Sequence, residues 1–225
     1  AAGVIAEATM KGSLIHIFGT GAHSSMTGEE FFLRPGSLMN INPIFDPGLS
    51  VTHGAYRSWM IEKLTGYVKP ILDYYKFNSG DVIIIANPYG INCATIDAAI
   101  EAKKKGLTVI ALTSKEFADS VPREFPSRHP CRKSLHELDE VDIVIDLHVP
   151  VGDCMIEIPE MEQRMGPVST ICCSILLSML NAVSVKTLCE KGMEPDVIKS
   201  PYVASDAALH NEKMIDKYYE RIKHI

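Results

Sequence analysis

Val82-Ile83-Ile84-Ile85-Ala86-Asn87-Pro88-Tyr89-Gly90-Ile91-Asn92-Cys93 is the stretch that decides the fold class. Its first five residues form a short run with no polar position, as expected of a strand covered on both faces in a parallel sheet. A turn rich in Asn, Pro and Gly ends the run, and a helical pattern spans residues 93–105. The same alternation recurs on either side. Leu14-Ile15-His16-Ile17-Phe18, Thr108-Val109-Ile110-Ala111-Leu112 and Val141-Asp142-Ile143-Val144-Ile145 read as further strands, with a weaker one at residues 38–41. Helices are predicted over 25–33, 57–75, 93–105, 170–191 and 207–222. The expected architecture is a three-layer αβα sandwich, Rossmann-like, with a mainly parallel, flavodoxin-like sheet of five strands.

A chain of 225 residues, 46% hydrophobic and 22% charged, suffices for one sizeable core, and no repeat or linker divides it. One domain over residues 1–225 is expected. The net charge of −6 leaves no cationic excess for a phosphate backbone, so nucleic acid is not expected as a partner. The six cysteines show no CxxC spacing and read as reduced cytoplasmic thiols. The first eight residues lack a basic n-region and look like the interior of a helix rather than a signal peptide. Residues 168–189 are apolar over nearly the length of a membrane span. Ser169, Thr170, Ser174, Ser178, Asn181, Ser184 and Lys186 interrupt them, so a buried core helix is expected and no membrane partner.

In an open parallel sheet, ligands bind beyond the carboxyl ends of the strands, so three junctions are the candidate site. The first is Gly19-Thr20-Gly21-Ala22-His23-Ser24-Ser25, where glycines let the backbone approach an anion and Ser24 and Ser25 can donate to it. The second is the turn carrying Asn87, Tyr89, Gly90 and Asn92, and the third is Thr113-Ser114. Helix capping is the plain alternative for Thr113 and Ser114. Residues 117–135, with Pro122, Pro126 and Pro130, form an irregular stretch that could serve as a flap.

Gly19-Thr20-Gly21, the 87–92 turn, Ala111-Leu112-Thr113-Ser114 and Gly166-Pro167-Val168-Ser169-Thr170 resemble, in order and spacing, the SIS (sugar isomerase) domain family. Residues 19–30, 43–48, 127–130, 150–153 and 166–170 resemble more narrowly a subgroup of single-domain phosphosugar-binding proteins, which usually carry one further N-terminal helix. The resemblance implies a sugar phosphate held by hydroxyls and main-chain amides, in a homodimer or homotetramer whose neighbouring subunit completes the site. Family members include aldose-ketose isomerases, an etherase and non-catalytic phosphosugar sensors. The family's Ser-x-Ser-Gly phosphate turn appears here as Asn87-Pro88-Tyr89-Gly90, which shifts the expected grip to Thr113, Ser114, Ser169 and Thr170.

Isomerisation needs a base to move a proton between adjacent carbons and an acid to open the ring. Glu30 falls where the sedoheptulose-phosphate isomerase branch carries its catalytic glutamate, with Glu29 beside it; a solvated helix face is the alternative for both. Met26 stands in place of that branch's zinc-binding histidine, and no histidine lies between Ser169 and Lys191. His53, in a turn-rich segment with Arg57, is the candidate acid. It is expected to face the 19–25 loop of a neighbouring chain. His23, His129, His148 and Asp153 show no metal-ligand spacing, and neither metal nor cofactor is expected. His16, inside an apolar strand, reads as a satisfied core residue. The function expected is phosphosugar binding with sugar-phosphate isomerase activity, on aldose-ketose or amino-sugar substrates. The alternative is a non-catalytic phosphosugar sensor.

Overall fold

The computed structural model describes residues 1–225. Its centre is a five-stranded parallel sheet made of β1 (Ile15–Gly19), β2 (Ile41–Pro43), β3 (Val82–Ala86), β4 (Thr108–Thr113) and β5 (Ile143–Asp146), in the order β2-β1-β3-β4-β5. This is the expected doubly wound, flavodoxin-like order, with its switch point between β1 and β3. Ile15 pairs with Val82 and Gly19 with Ala86, so the first two glycine- and asparagine-bearing junctions leave the sheet side by side.

The period of two in β3 explains the layers. Val82, Ile84 and Ala86 face one core cluster, while Ile83 and Ile85 face the other. The first cluster is roofed by α1 (Ala2–Met10) and α7 (Ser169–Glu190). The second is roofed by α4 (Val68–Tyr74) and α5 (Cys93–Lys104). His16 is fully buried in β1, with Nε2 3.3 Å from Asp81 Oδ2 and Nδ1 3.4 Å from Asn42 Nδ2. It is a satisfied core residue. All six cysteines are unpaired.

Several expected elements change. The helix expected over 57–75 is two, α3 (Ala55–Ile61) and α4, because Gly66 sits at φ +82 between them. The helix expected at 25–33 shortens to α2 (Met26–Phe31). The weak strand at 38–41 moves to Ile41–Pro43, and Leu38 instead bridges Val197. A two-stranded antiparallel hairpin, β6 (Cys154–Ile156) with β7 (Met165–Pro167), was not expected. Its strands are short and mostly exposed, so they carry almost no apolar alternation.

The long stretch after β4 is not a loose flap. It begins with α6 (Lys115–Ser120). Beyond that, the buried Arg128 guanidinium donates to the carbonyls of Ala118, Val121 and Pro122 and to Ser134 Oγ. One buried cation thus satisfies several carbonyls that an irregular loop would otherwise strand.

The last long helix, α7, is the largest departure. It is long and apolar enough to cross a membrane by length and composition, yet here only Ser169, Cys173, Leu177, Ser184 and Leu188 are buried. Its outward stripe of Ile171, Ile175, Met179 and Val183 is more than half exposed at every position. It is not a buried core helix.

Candidate functional site

A cleft of about 820 Å³ opens at the switch point, beyond the carboxyl ends of β1 and β3. Cavities of about 300–1,000 Å³ are the range that holds small ligands. A separate apolar void of about 20 Å³ between α1, α7 and the sheet has no room for a metabolite.

The floor of the cleft is the loop after β1, through Gly21, Ala22, His23 and Ser24. That loop folds back sharply. A Cβ on Gly19 would lie 1.9 Å from the Ser24 carbonyl oxygen, so only glycine fits there. Thr20 anchors the loop, its carbonyl oxygen accepting from Asn87 Nδ2 (3.1 Å) and Asn92 Nδ2 (3.3 Å). Asn87 Oδ1 also takes the N–H groups of Tyr89 and Gly90, and Asn92 Oδ1 caps α5 through the Thr95 N–H. The two asparagines therefore shape the site through these bonds. Gly90 sits at φ +60 with a would-be Cβ 2.4 Å from Thr113 Oγ1, a second position closed to side chains.

One wall is α3, which presents Ala55, Tyr56, Trp59 and, at its C-cap, Glu62 to the cleft. The spacing is that of one helical face. Tyr56 and Trp59 are well exposed, set edge to face with ring centroids 6.5 Å apart, and Lys63 Nζ lies 4.7 Å from the Trp59 ring centroid. The Glu62 carboxyl reaches the loop: a Cβ on Gly21 would stand 3.0 Å from its Oε2. Burial pushes the Glu62 pKa up from 4.5 to about 7, against the opposing Ala22 backbone hydrogen bond and the Lys63 charge.

Tyr89, Asp153, Pro167, Ser169 and Thr170 complete the lining. Asp153, held at φ +68, organises this side. Its Oδ1 accepts from the N–H groups of Ser169 (2.8 Å) and Val168 (3.2 Å), and its Oδ2 accepts from Ser169 Oγ (2.8 Å) and Tyr89 Oη (3.0 Å). Burial, then the Asp153 charge and hydrogen bond, drives the Tyr89 phenol pKa well upward, so it stays a neutral donor.

Of the residues named from sequence, the structure brings Gly21, His23, Ser24, Asn87, Tyr89, Ser169 and Thr170 to the cleft, with Gly19, Gly90 and Asn92 supporting its loops. Thr113 and Ser114 lie elsewhere. Both are fully buried, with Thr113 Oγ1 donating to the Pro88 carbonyl (3.3 Å) and Ser114 Oγ to the Val149 carbonyl (2.8 Å). Glu29 and Glu30 are exposed on α2 outside the cleft, Glu30 paired with Arg34 at 2.9 Å. His53 is exposed on the next segment, 3.0 Å from Thr52 Oγ1, and does not line its own chain's cleft. Sequence reading missed Trp59, Glu62 and Asp153 as site residues. For the first two, a signal exists in the i, i+3 and i+6 spacing of Tyr56, Trp59 and Glu62.

No lysine or arginine lines the cleft, and its charged groups are carboxylates. The arrangement is that of an α/β protein with a polar cleft at the switch point of its sheet. The SIS domain profile matches residues 1–114, and the chain belongs to the SIS domain family. A UPF0309 protein of Caldanaerobacter subterraneus subsp. tengcongensis is 38% identical over 95% of this chain and 84% of its own length. A UPF0309 protein of Thermoanaerobacter pseudethanolicus is also 38% identical, over 100% of this chain and 90% of its own length. Among solved structures, a chain from Silicibacter pomeroyi DSS-3, whose phosphosugar isomerase assignment is itself provisional, overlays with a TM-score of 0.42 at 13% identity. The overlay covers 84% of this chain and 44% of that one, a likeness too distant to transfer any role.

Proposed function

We propose that the chain binds a sugar phosphate in this cleft and isomerises it. One observation carries the reading: the hydroxyls of Ser24 in the β1 loop and Thr170 at the start of α7 share a cleft with the aromatic side chains of Tyr56 and Trp59. Hydroxyl and amide donors suit a phosphate and a polyol, and an aromatic face suits the apolar C–H face of a sugar ring. Membership in the SIS domain family supports the same ligand class.

Trp59 is the only tryptophan in the chain, so its fluorescence reports on the cleft directly. Hexose, pentose and heptose phosphates should shift its emission and raise the melting temperature, while the unphosphorylated sugars should not. At about one hundred times its dissociation constant, a ligand should add roughly 2.7 kcal/mol of stability. No response to any of them at millimolar concentration and low salt would end the phosphosugar reading. Proton-to-deuterium exchange at the sugar's reacting carbon, followed by NMR, then separates the isomerase from a non-catalytic sensor.

A homodimer or homotetramer belongs to the same proposal. The stripe of Ile171, Ile175, Met179 and Val183 along α7, with Met155, Ile156 and Met165 exposed on the hairpin that precedes it, is apolar surface of the kind that marks an interface. A neighbouring chain would also supply cations that the cleft lacks, and His53 could reach it only from there. Sedimentation should show at least a dimer at micromolar concentration. Ile175→Glu should shift it to monomer; an Ile175→Glu protein that sediments like the wild type would remove this face as the interface.

A further inference from the structure

We infer that Glu62 is the catalytic proton-transfer residue of the cleft, taking the proton from the carbon beside the carbonyl of a bound phosphosugar and returning it to the neighbouring carbon. This rests on the sugar-phosphate reading above. The geometry selects Glu62 by elimination and by placement. Among carboxylates lining the cleft, Asp153 is committed to the Ser169, Val168 and Tyr89 donors. Glu29 and Glu30 lie outside. Glu62 stands on the same face of α3 as Trp59, half-buried, its Oε2 against Gly21 and the side-chain amide of Asn87 in the same corner. A sugar held against Trp59 therefore shares the cleft with the carboxyl.

The balance of the step is simple. The Glu62 carboxylate takes the proton from the α-carbon, the C–H electron pair becomes the C=C bond of an enediolate, and the carbonyl π pair moves to oxygen. The carboxyl then gives its proton to the adjacent carbon, and the hydroxyl proton of the second oxygen passes to the first. Nothing is oxidised or reduced overall. A base suited to this should titrate near the working pH, and the Glu62 pKa of about 7 meets that condition. The other titratable or charged groups sharing the cleft with it are His23 from the β1 loop, Tyr56 from α3, Tyr89 from the turn after β3 and Asp153 just before the hairpin, and Lys63, next in sequence, acts on it through its charge.

The test compares wild type with Glu62→Gln, using whichever of glucose 6-phosphate, fructose 6-phosphate and glucosamine 6-phosphate gives the largest Trp59 response. The Glu62 backbone carbonyl accepts the Ala94 N–H at 2.9 Å, a contact the side-chain change leaves intact, so the variant should fold. A folding check is built in. A carboxyl raised in the folded state favours that state when protonated, and this advantage is lost as pH rises from about 4.5 to about 7. The wild-type melting temperature should fall across that window relative to Glu62→Gln.

Glu62→Gln should bind within threefold of wild type and lose roughly 100- to 10,000-fold in deuterium exchange. Wild-type kcat/KM should rise through about pH 7 and level off, and the variant's residual rate should not follow that rise. Exchange by the variant within tenfold of wild type, or an unchanged pH profile, overturns the assignment. Binding with no exchange by wild type overturns it too and leaves a non-catalytic binder. No Trp59 response from either protein to these or to the pentose and heptose phosphates overturns the phosphosugar reading itself.

Discussion

Gly19→Ala is expected to cost about 2–4 kcal/mol of stability and to abolish the Trp59 response to phosphosugars. The reason is local and steric. The new methyl group would lie 1.9 Å from the Ser24 carbonyl oxygen, 2.3 Å from its carbon and 2.6 Å from the Ser25 nitrogen, all backbone atoms that no rotamer change can move aside. The loop would have to open. That in turn pulls Thr20 away from the amides of Asn87 and Asn92, which hold the β1 loop against the turn after β3. Urea denaturation with fluorescence titration checks both halves. Gly3→Ala is the control: it lies within α1 with nothing inside 4 Å of the added Cβ, and should be neutral or slightly stabilising. A Gly19→Ala protein of wild-type stability and binding would show that the loop folds differently.

Asp153→Ala should be comparably severe, at about 3–5 kcal/mol, because it strands three donors at once. The N–H and hydroxyl of Ser169 and the Tyr89 phenol converge on this one carboxylate, and Ser169 and Asp153 are both buried, whereas the Val168 N–H keeps the Asp153 backbone carbonyl at 3.1 Å. Asp153→Asn keeps one acceptor oxygen and should lose less. The sorting between the two variants is the informative part: Asn tolerates the left-handed position, so equal losses would mean that one remaining acceptor oxygen does not hold the donors. Asp139→Ala, at an exposed carboxylate 3.5 Å from Lys133, should leave stability unchanged. Denaturation midpoints measured on the three variants in one buffer settle the order.

The sheet was legible because its strands are sequence-local objects. The β-branched run at Val82 to Ile85 has no polar position, so it reports burial on both faces without knowledge of its neighbours. The glycine loop was legible for a related reason: close backbone approach demands a residue without a side chain, and Gly19 and Gly21 declare it. The hydroxyls at Thr113 and Ser114 were not. A hydroxyl at a strand end reads the same whether it faces a ligand or a neighbouring carbonyl, and here Pro88 and Val149 take both. The hairpin at Cys154 to Pro167 escaped because its strands are too short and exposed to alternate.

By itself, then, the sequence determined the class of fold, the switch-point junctions and the hydroxyl and amide chemistry they offer, since each depends on the character of residues a few positions apart. Only the tertiary structure decided which carboxylate enters the cleft. Glu30 lies eleven residues beyond Gly19 and Glu62 forty-one beyond Gly21, yet the turn of α2 sends the first to solvent beside Arg34 while α3 brings the second against the glycine loop. A shift of Glu62 toward neutral pH comes from burial by groups distant in sequence, and burial is a property of the packed chain. The outward stripe of α7 has the same origin. Its composition is that of a core helix, and which face stays uncovered depends on where α1 and the sheet end.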